Sequence, residues 1–260
     1  MKKKEKVIYY NDELNDEFAG DSIVAKKIDA NYVYLRDSFF GKAAHIFWYR
    51  IVAIPLAKVY MKIHFHHKIV NKKLLKEAKA TGYFMYGNHT HFLADALVPT
   101  MVNMPKTVAV IVHPNNISMP FLGRITPYLG ALPLPDDIEA GKNFVKAVEK
   151  RIENKYCVMI YPEAHIWPFY TDIRPFKDLS FRYPVKQGVP TFCLTNTYQK
   201  RKYSKKPKMV TYIDGPFYPD ETLNAKEKKQ KLRDDVYNTM KNRAKNSNVC
   251  MIRYEKSKDL

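Results

Sequence analysis

A chain of 260 residues, 46% of them apolar, is long enough for one large domain and rich enough in apolar residues to build its core, which excludes global disorder. Forty-four Lys and Arg stand against 26 Asp and Glu, a formal charge of +18. That excess calls for an anionic partner (nucleic acid, an anionic membrane face, or an acidic or phosphorylated substrate) and does not choose among them. Three cysteines, Cys157, Cys193 and Cys250, are too few for a disulfide framework. Cys157 and Cys193 sit in apolar runs and read as inert buried thiols in a reducing compartment.

The charged start, Met1 to Lys6, is followed by no apolar stretch, so a secretory signal is not expected. No run reaches the ~18 apolar residues of a spanning helix. The nearest, Ala43 to Tyr60, is interrupted by His45, Arg50, Pro55 and Lys58. The C-terminal Lys258-Asp-Leu260 lacks the Glu of a retention signal. Residues 1–38 are polar and predict loops with a short hairpin. Residues 39–80 change character: Phe39, Phe40, Ile46, Phe47, Trp48, Ile51, Val52, Ile54, Leu56, Val59 and Met61 form a broad apolar stripe flanked by lysines. Such a segment fits a helix lying in a membrane interface or one packed on a core. Pro55 is expected to kink or split it.

From residue 81 strands and helices alternate. Tyr83–Tyr86 reads as a strand between two glycines, and Phe92–Val102 as a helix. Thr107–Val112 is a β-branched buried strand. Gly130–Leu134 is a short strand, and Phe144, Val145, Val148 and Ile152 mark an amphipathic helix ending near Asn154. Tyr156–Tyr161, Thr191–Thr195 and Met209–Ile213 are strands. Between the last two, Tyr198–Lys208 carries six Lys or Arg and no acid, a solvated loop or a surface for anionic head groups. Thr222–Lys245 is a charged helix, and Val249–Tyr254 a last strand. The alternation predicts an α/β domain over 81–260, with a mixed, largely parallel central sheet flanked by helices. An N-terminal polar region and basic amphipathic helical segment, 1–80, precedes it. Ligands of such sheets gather where strands end.

Two segments at strand ends carry chemistry. In Gly87-Asn-His-Thr-His-Phe-Leu-Ala-Asp95 a histidine can serve as general base near neutral pH, and a carboxylate can fix its tautomer. On an ideal helix His91 and Asp95 share a face, whereas His89 lies before the helix and would have to fold back. In Ile160-Tyr-Pro-Glu-Ala-His-Ile-Trp-Pro168, Glu163 is a cap or a substrate ligand. Arg174 and Lys177 follow close behind.

Asn88-His89 with Asp95, then Tyr161-Pro162-Glu163, Pro175-Phe176-Lys177 and Gly188-Val189-Pro190, in that order, resemble the lysophospholipid acyltransferase family, including 1-acylglycerol-3-phosphate acyltransferases. The resemblance covers about residues 80–215. It implies transfer of a fatty acyl group from acyl-CoA or acyl-carrier protein to a hydroxyl of a lysophospholipid or related lipid, a step of phospholipid biosynthesis. It implies His89 as base oriented by Asp95, and Asn88, Glu163, His165 and Arg174 as substrate contacts. It calls for no metal and no cofactor. With the charge and the 39–76 segment it implies peripheral attachment to an anionic membrane surface, at the inner face of the cell membrane.

The motifs depart from the family in three places. Five residues separate His89 from Asp95, one more than the family spacing, and three separate His91 from it. The Asn-His dipeptide favours His89, with one bulged or non-helical residue absorbing the insertion; ideal helix geometry favours His91. Ala164, His165 and Ile166 replace Gly, Thr and Arg, and Gly130–Asp136 lacks a terminal Arg. The family's phosphate-holding arginines are thus missing, and Arg174 or Lys177 could substitute, since only a properly placed cation is needed; a bidentate contact would favour Arg174.

The alternative is a metal-dependent hydrolase using the His89/His91 pair, with Asp95 and His113 as further ligands. Its binuclear pattern lacks the expected Asp, since Leu93 stands there. His64, His66 and His67 read as a solvated or interfacial helix end. Nucleic acid is not an expected partner: no zinc-finger spacing or RNA-recognition signature accompanies the charge. No dinucleotide fingerprint, phosphate loop or Gly-x-Ser-x-Gly is present either.

Overall fold

The computed structural model describes residues 6–18, 20 and 23–257. Met1–Glu5 and Lys258-Asp259-Leu260, on which the signal and retention readings partly rest, lie outside the described residues. The chain opens with β1 (Lys6–Tyr10). A long helix follows, from α1 (Phe39–His45) through a π-helical stretch (Ile46–Ala53) into α2 (Ile54–Phe65). Next come β2 (Lys68–Val70), a 3-10 stretch (Lys72–Ala78), β3 (Tyr83–Gly87), α3 (Ala94–Asn103) and β4 (Val108–Val112). Two single-turn helices, α4 (Asn115–Ser118) and α5 (Leu122–Ile125), lead to β5 (Ala131–Pro133), α6 (Ile138–Glu153) and β6 (Cys157–Ile160). The last third holds α7 (Arg182–Gln187), the hairpin of β7 (Thr191–Arg201) and β8 (Ser204–Phe217), then α8 (Ala225–Ala244) and β9 (Ile252–Lys256).

Seven strands form one sheet in the order β2–β8–β7–β3–β6–β4–β5. Every pairing is parallel except β7 with β8, so the fold is α/β with a mixed, largely parallel sheet. Central β3 shows why. Phe84 and Tyr86 enter one core layer, against α6 (Phe144, Val148) and α8 (Leu232, Val236, Met240). Tyr83 and Met85 enter the opposite layer, against α2 (Met61, Phe65) and α3 (Val98, Val102). Alternate residues point to opposite faces, so a strand covered on both faces needs apolar residues throughout. Each such large buried side chain contributes on the order of 2–3 kcal/mol.

Four expectations change. β1 does not belong to a hairpin: it pairs in parallel with β9, zipping the two ends of the chain together. Residues 198–208 are no loop, because both strands of the β7–β8 hairpin run through them. Residues 68–78 are not part of the long helix, and β2 joins the sheet beside β8. Pro55 does not break the helix. It sits in the first turn of α2, just after the π-helical stretch, where the Ile54 N–H reaches back to the Tyr49 carbonyl. The wider turn relieves the clash of the proline ring with the carbonyl four residues back. It also turns Tyr49 into the core, where its hydroxyl accepts the Val108 N–H at 2.8 Å.

The inner face of the long helix carries Ile54, Ala57, Met61 and Phe65, all buried. Its outer face leaves Phe40, Phe47, Ile51, Leu56, Val59 and Ile63 exposed, each by about half or more. No helix among the described residues is long and apolar enough to cross a membrane.

Candidate active site

β3 ends at Gly87, beside the end of β6 and opposite Leu194 of β7. A Cβ there would meet the Met159 methyl at 2.4 Å and the Tyr161 ring at 3.1 Å, so a larger residue would have to displace those side chains. Asn88 then adds a side-chain rung to the β3–β7 pairing. Its amide donates to the Asn196 carbonyl at 3.0 Å and its Oδ1 accepts the Asn196 N–H at 2.8 Å. Both groups are buried.

Beyond Asn88 the chain curls around the carboxylate of Asp95. One oxygen, Oδ2, accepts the N–H groups of Thr90 and His91, both at 2.8 Å, and faces His89 Nδ1 at 2.9 Å. An ionised carboxylate only accepts, so Nδ1 carries the proton and Nε2 the lone pair. Asp95 also lies in the first turn of α3, where the helix dipole favours negative charge. The His89 ring is 18% exposed and Asp95 1%: the imidazole reaches solvent while the carboxylate behind it does not.

The spacing conflict resolves in the loop. α3 begins at Ala94, not at Phe92, so the residues from Asn88 to Leu93 are free to bend and bring His89 onto Asp95. Four non-helical residues, rather than a single bulge, separate His89 from the helix. His91, off the helix, shares no helical face with Asp95. Its Nδ1 accepts the N–H groups of Leu93 and Ala94, both at 3.2 Å, and so satisfies donors at the helix start. Its ring packs edge-on against Phe65 and Phe169, and burial lowers its pKa.

Tyr161 is the contact that the motif comparison left without a role. Its ring stacks on His89, 4.5 Å between centroids and 18° between planes. Its hydroxyl donates to the Asp95 backbone carbonyl at 2.5 Å. Burial, reinforced by the Asp95 charge, pushes the phenol well above its ordinary range, so it stays a neutral donor. An aromatic residue ahead of Pro162-Glu163, at the end of a strand adjacent to β3, was the available signal.

Glu163 is buried behind the loop. Its Oε2 accepts the His89 backbone N–H and its Oε1 the Arg174 backbone N–H, both at 3.1 Å. Burial raises its pKa, opposed by the Arg174 guanidinium, whose nearest nitrogen is 3.7 Å from Oε2. Arg174 itself has no exposure. Its guanidinium donates to the carbonyls of Glu13 (3.0 Å), Glu163 (3.2 Å) and His165, and lies over the Trp167 ring. The expectation that Arg174 grips an acceptor phosphate therefore does not fit the structure: its forks point at main-chain carbonyls in the interior. His165 faces away from this buried set, with Nδ1 3.1 Å from Glu17 Oε2 on the N-terminal segment.

The 163–170 segment is strapped over the loop. The Trp167 N–H donates to the His89 carbonyl at 3.2 Å, and the Phe169 N–H to the Thr90 carbonyl at 2.8 Å. Ala164 and Phe169 both take left-handed backbone angles, φ 64° and 59°. A glycine at position 164 would adopt such an angle freely. The structure thus brings together His89, Asp95, Asn88, Glu163 and Arg174, adds Tyr161, and leaves His165 at the rim. Among the described residues, no group of three or more His, Cys, Asp or Glu is arranged to hold a metal ion. The Nδ1 atoms of His89 and His91 are both engaged with protein groups.

No family model matches the chain, and no curated protein matches it significantly. Among solved structures, the fold is similar to the crystal structure of the 1-acyl-sn-glycerophosphate (LPA) acyltransferase PlsC from Thermotoga maritima. The TM-score is 0.53 at 17% identity, over 80% of this chain and 83% of that one. At that identity the likeness shows a shared fold.

Proposed function

We propose that the protein is an acyltransferase that moves a fatty acyl group from acyl-CoA or acyl-carrier protein to a hydroxyl of a lysophospholipid or related lipid. The observation that carries this reading is the His89–Asp95 pair at the sheet's strand-end edge, with Nδ1 on the carboxylate and Nε2 left as the basic nitrogen. His89 Nε2 takes the proton of the acceptor hydroxyl as its oxygen attacks the thioester carbonyl. The carbon–sulfur bond then breaks, and the imidazolium returns that proton to the leaving thiolate. Asp95 stabilises the imidazolium and holds its tautomer. Tyr161 fixes the ring from its face, and Glu163 fixes the His89 backbone.

Asn88, Glu163 and Arg174 are assigned here as positioning residues, because all three are buried and engaged with the main chain. His165, partly exposed, remains the candidate contact to substrate. The exposed apolar face of the long helix supports docking on an anionic membrane surface, with residues 1–80 as the docking region and 81–260 as the catalytic domain. Exposed aromatic and aliphatic side chains beside lysines are the composition of an interfacial helix. We place the protein peripherally at the cytoplasmic face of the membrane. The test is acyl transfer by purified protein to lysophosphatidic acid, other lysophospholipids and uncharged hydroxylated lipids. Asp95→Asn should lower the rate by about 10³–10⁴-fold; a rate retained in that variant would reject the mechanism.

A further inference from the structure

A line of polar side chains runs through the core behind Asp95. Asn196 Nδ2 lies 3.4 Å from Asp95 Oδ1. Asn196 Oδ1 is 2.6 Å from Thr211 Oγ1, which is 2.7 Å from His67 Nε2. Asn196 and Thr211 are directly paired across β7 and β8, so their side chains leave the sheet on the same face. Both are buried. The backbone of Asn196 is separately locked by the Asn88 amide. His67 directly follows the left-handed residue, His66, that ends α2, and its N–H is bound by the Met61 carbonyl.

The direction of every bond in this line follows from the charge at its inner end. Asp95 has no proton to give, so Asn196 must present its NH₂ and not its carbonyl. The Asn196 carbonyl oxygen then needs a donor, and the only proton on Thr211 Oγ1 is committed to it. Thr211 can therefore only accept from His67, which must carry its proton on Nε2. Burial pushes the His67 pKa down to about 4, so the ring is neutral and has one N–H to place. Reversing the chain would set the Asn196 oxygen against a carboxylate oxygen in a buried site, an arrangement that low dielectric penalises.

We propose that Asn196, held by Thr211 and His67, is a positioning residue that fixes the second oxygen of Asp95 and so the orientation of the carboxylate behind His89. The chain connects the end of α2 to the His–Asp pair. The catalytic part of this inference rests on the reading of His89 and Asp95 as the acid–base pair; the bond directions do not.

The test has two arms. In the first, the full chain is labelled with ¹⁵N-histidine and the ring tautomers are read from long-range proton–nitrogen spectra. The expected result is His67 protonated on Nε2 and His89 on Nδ1. In Thr211→Val, which keeps the shape and removes the hydroxyl, the His67 ring should become a tautomeric mixture, while His89, still facing Asp95 Oδ2, keeps its proton on Nδ1. His67 protonated on Nδ1, or a His67 tautomer indifferent to Thr211→Val, would overturn the proposal. In the second arm, Thr211→Val should lower kcat about tenfold with KM unchanged, the rate equivalent of about one lost hydrogen bond. Thr211→Ser, which restores the hydroxyl, should recover it. A loss of activity that Thr211→Ser fails to recover would make the residue's role one of packing and also overturn the proposal. If the wild type transfers no acyl group, the acyltransferase reading falls, and the tautomers alone decide the bond chain.

Discussion

Arg174 is the residue whose role the structure changes most, and Arg174→Met is the sharpest perturbation of it. The methionine keeps much of the side-chain volume over Trp167 and removes the charge. Three main-chain carbonyls, of Glu13, Glu163 and His165, lose their donor, and Glu163 loses its cation. Breaking a fully buried ion pair costs about 3–5 kcal/mol, and each orphaned carbonyl adds on the order of 1 kcal/mol where water cannot reach. Against a total stability of about 5–15 kcal/mol, that loss is severe. At about 2–4 °C per kcal/mol for a chain of this size, the melting temperature should fall by roughly 12–30 °C. The pH dependence has a sign. The folded-state pKa of Glu163 is already raised by burial, and removing the guanidinium raises it further. A raised carboxyl contributes stability that is present below its unfolded value, about 4.5, and lost as pH rises through the folded value. The deficit of the variant should therefore be smaller at about pH 5 than at about pH 8. Thermal and urea melts at both pH values measure this. Melting within about 2 °C of wild type, together with a raised KM for a phosphate-bearing acceptor, would refute the reasoning and return Arg174 to the substrate.

His91→Phe keeps the ring contacts with Phe65 and Phe169 but loses the acceptor for two N–H groups at the start of α3. It should cost about 1 kcal/mol of stability, read by urea denaturation, and leave acyl transfer within a few-fold; loss of transfer would make His91 the base. His67 is neutral when folded because burial lowers its pKa to about 4, whereas the unfolded side chain titrates near 6.5. Stability should accordingly fall as pH drops from about 6.5 toward about 4. His67→Gln should flatten that slope, and an unchanged slope would contradict the assignment. Ile51→Glu combined with Ile63→Glu, both on the exposed face of the long helix, should weaken co-sedimentation with anionic vesicles at least about tenfold without lowering the melting temperature. Equal vesicle binding by this variant would remove the helix as the docking surface.

Local pattern made much of the fold legible. β3, β4, β6 and α6 stand within a residue or two of where apolar runs and helical spacing put them, except that α6 begins at Ile138, ahead of its periodic residues. Partners far apart in sequence were not legible. β1 reads as polar and unremarkable because what makes it a strand is β9, more than two hundred residues away. The lysines of 198–208 hid two strands, since a hairpin reaching into solvent carries no alternation of apolar residues. At the site, the residue types were visible and their roles were not. Burial decides those roles: the same Arg that suits a phosphate suits three inward carbonyls, and only the fold says which it meets. The choice between His89 and His91 turned on where α3 begins, a boundary that propensity leaves open by two residues.

The central claim is that His89 is the base of an acyl transfer. Its most direct test compares wild type, His89→Ala and His91→Ala, using labelled acyl-CoA and acyl-carrier protein with the panel of lipid acceptors. The account predicts transfer by wild type, transfer within a few-fold by His91→Ala, and loss of about 10³-fold or more in His89→Ala. Full transfer by His89→Ala, or its loss only in His91→Ala, would contradict it.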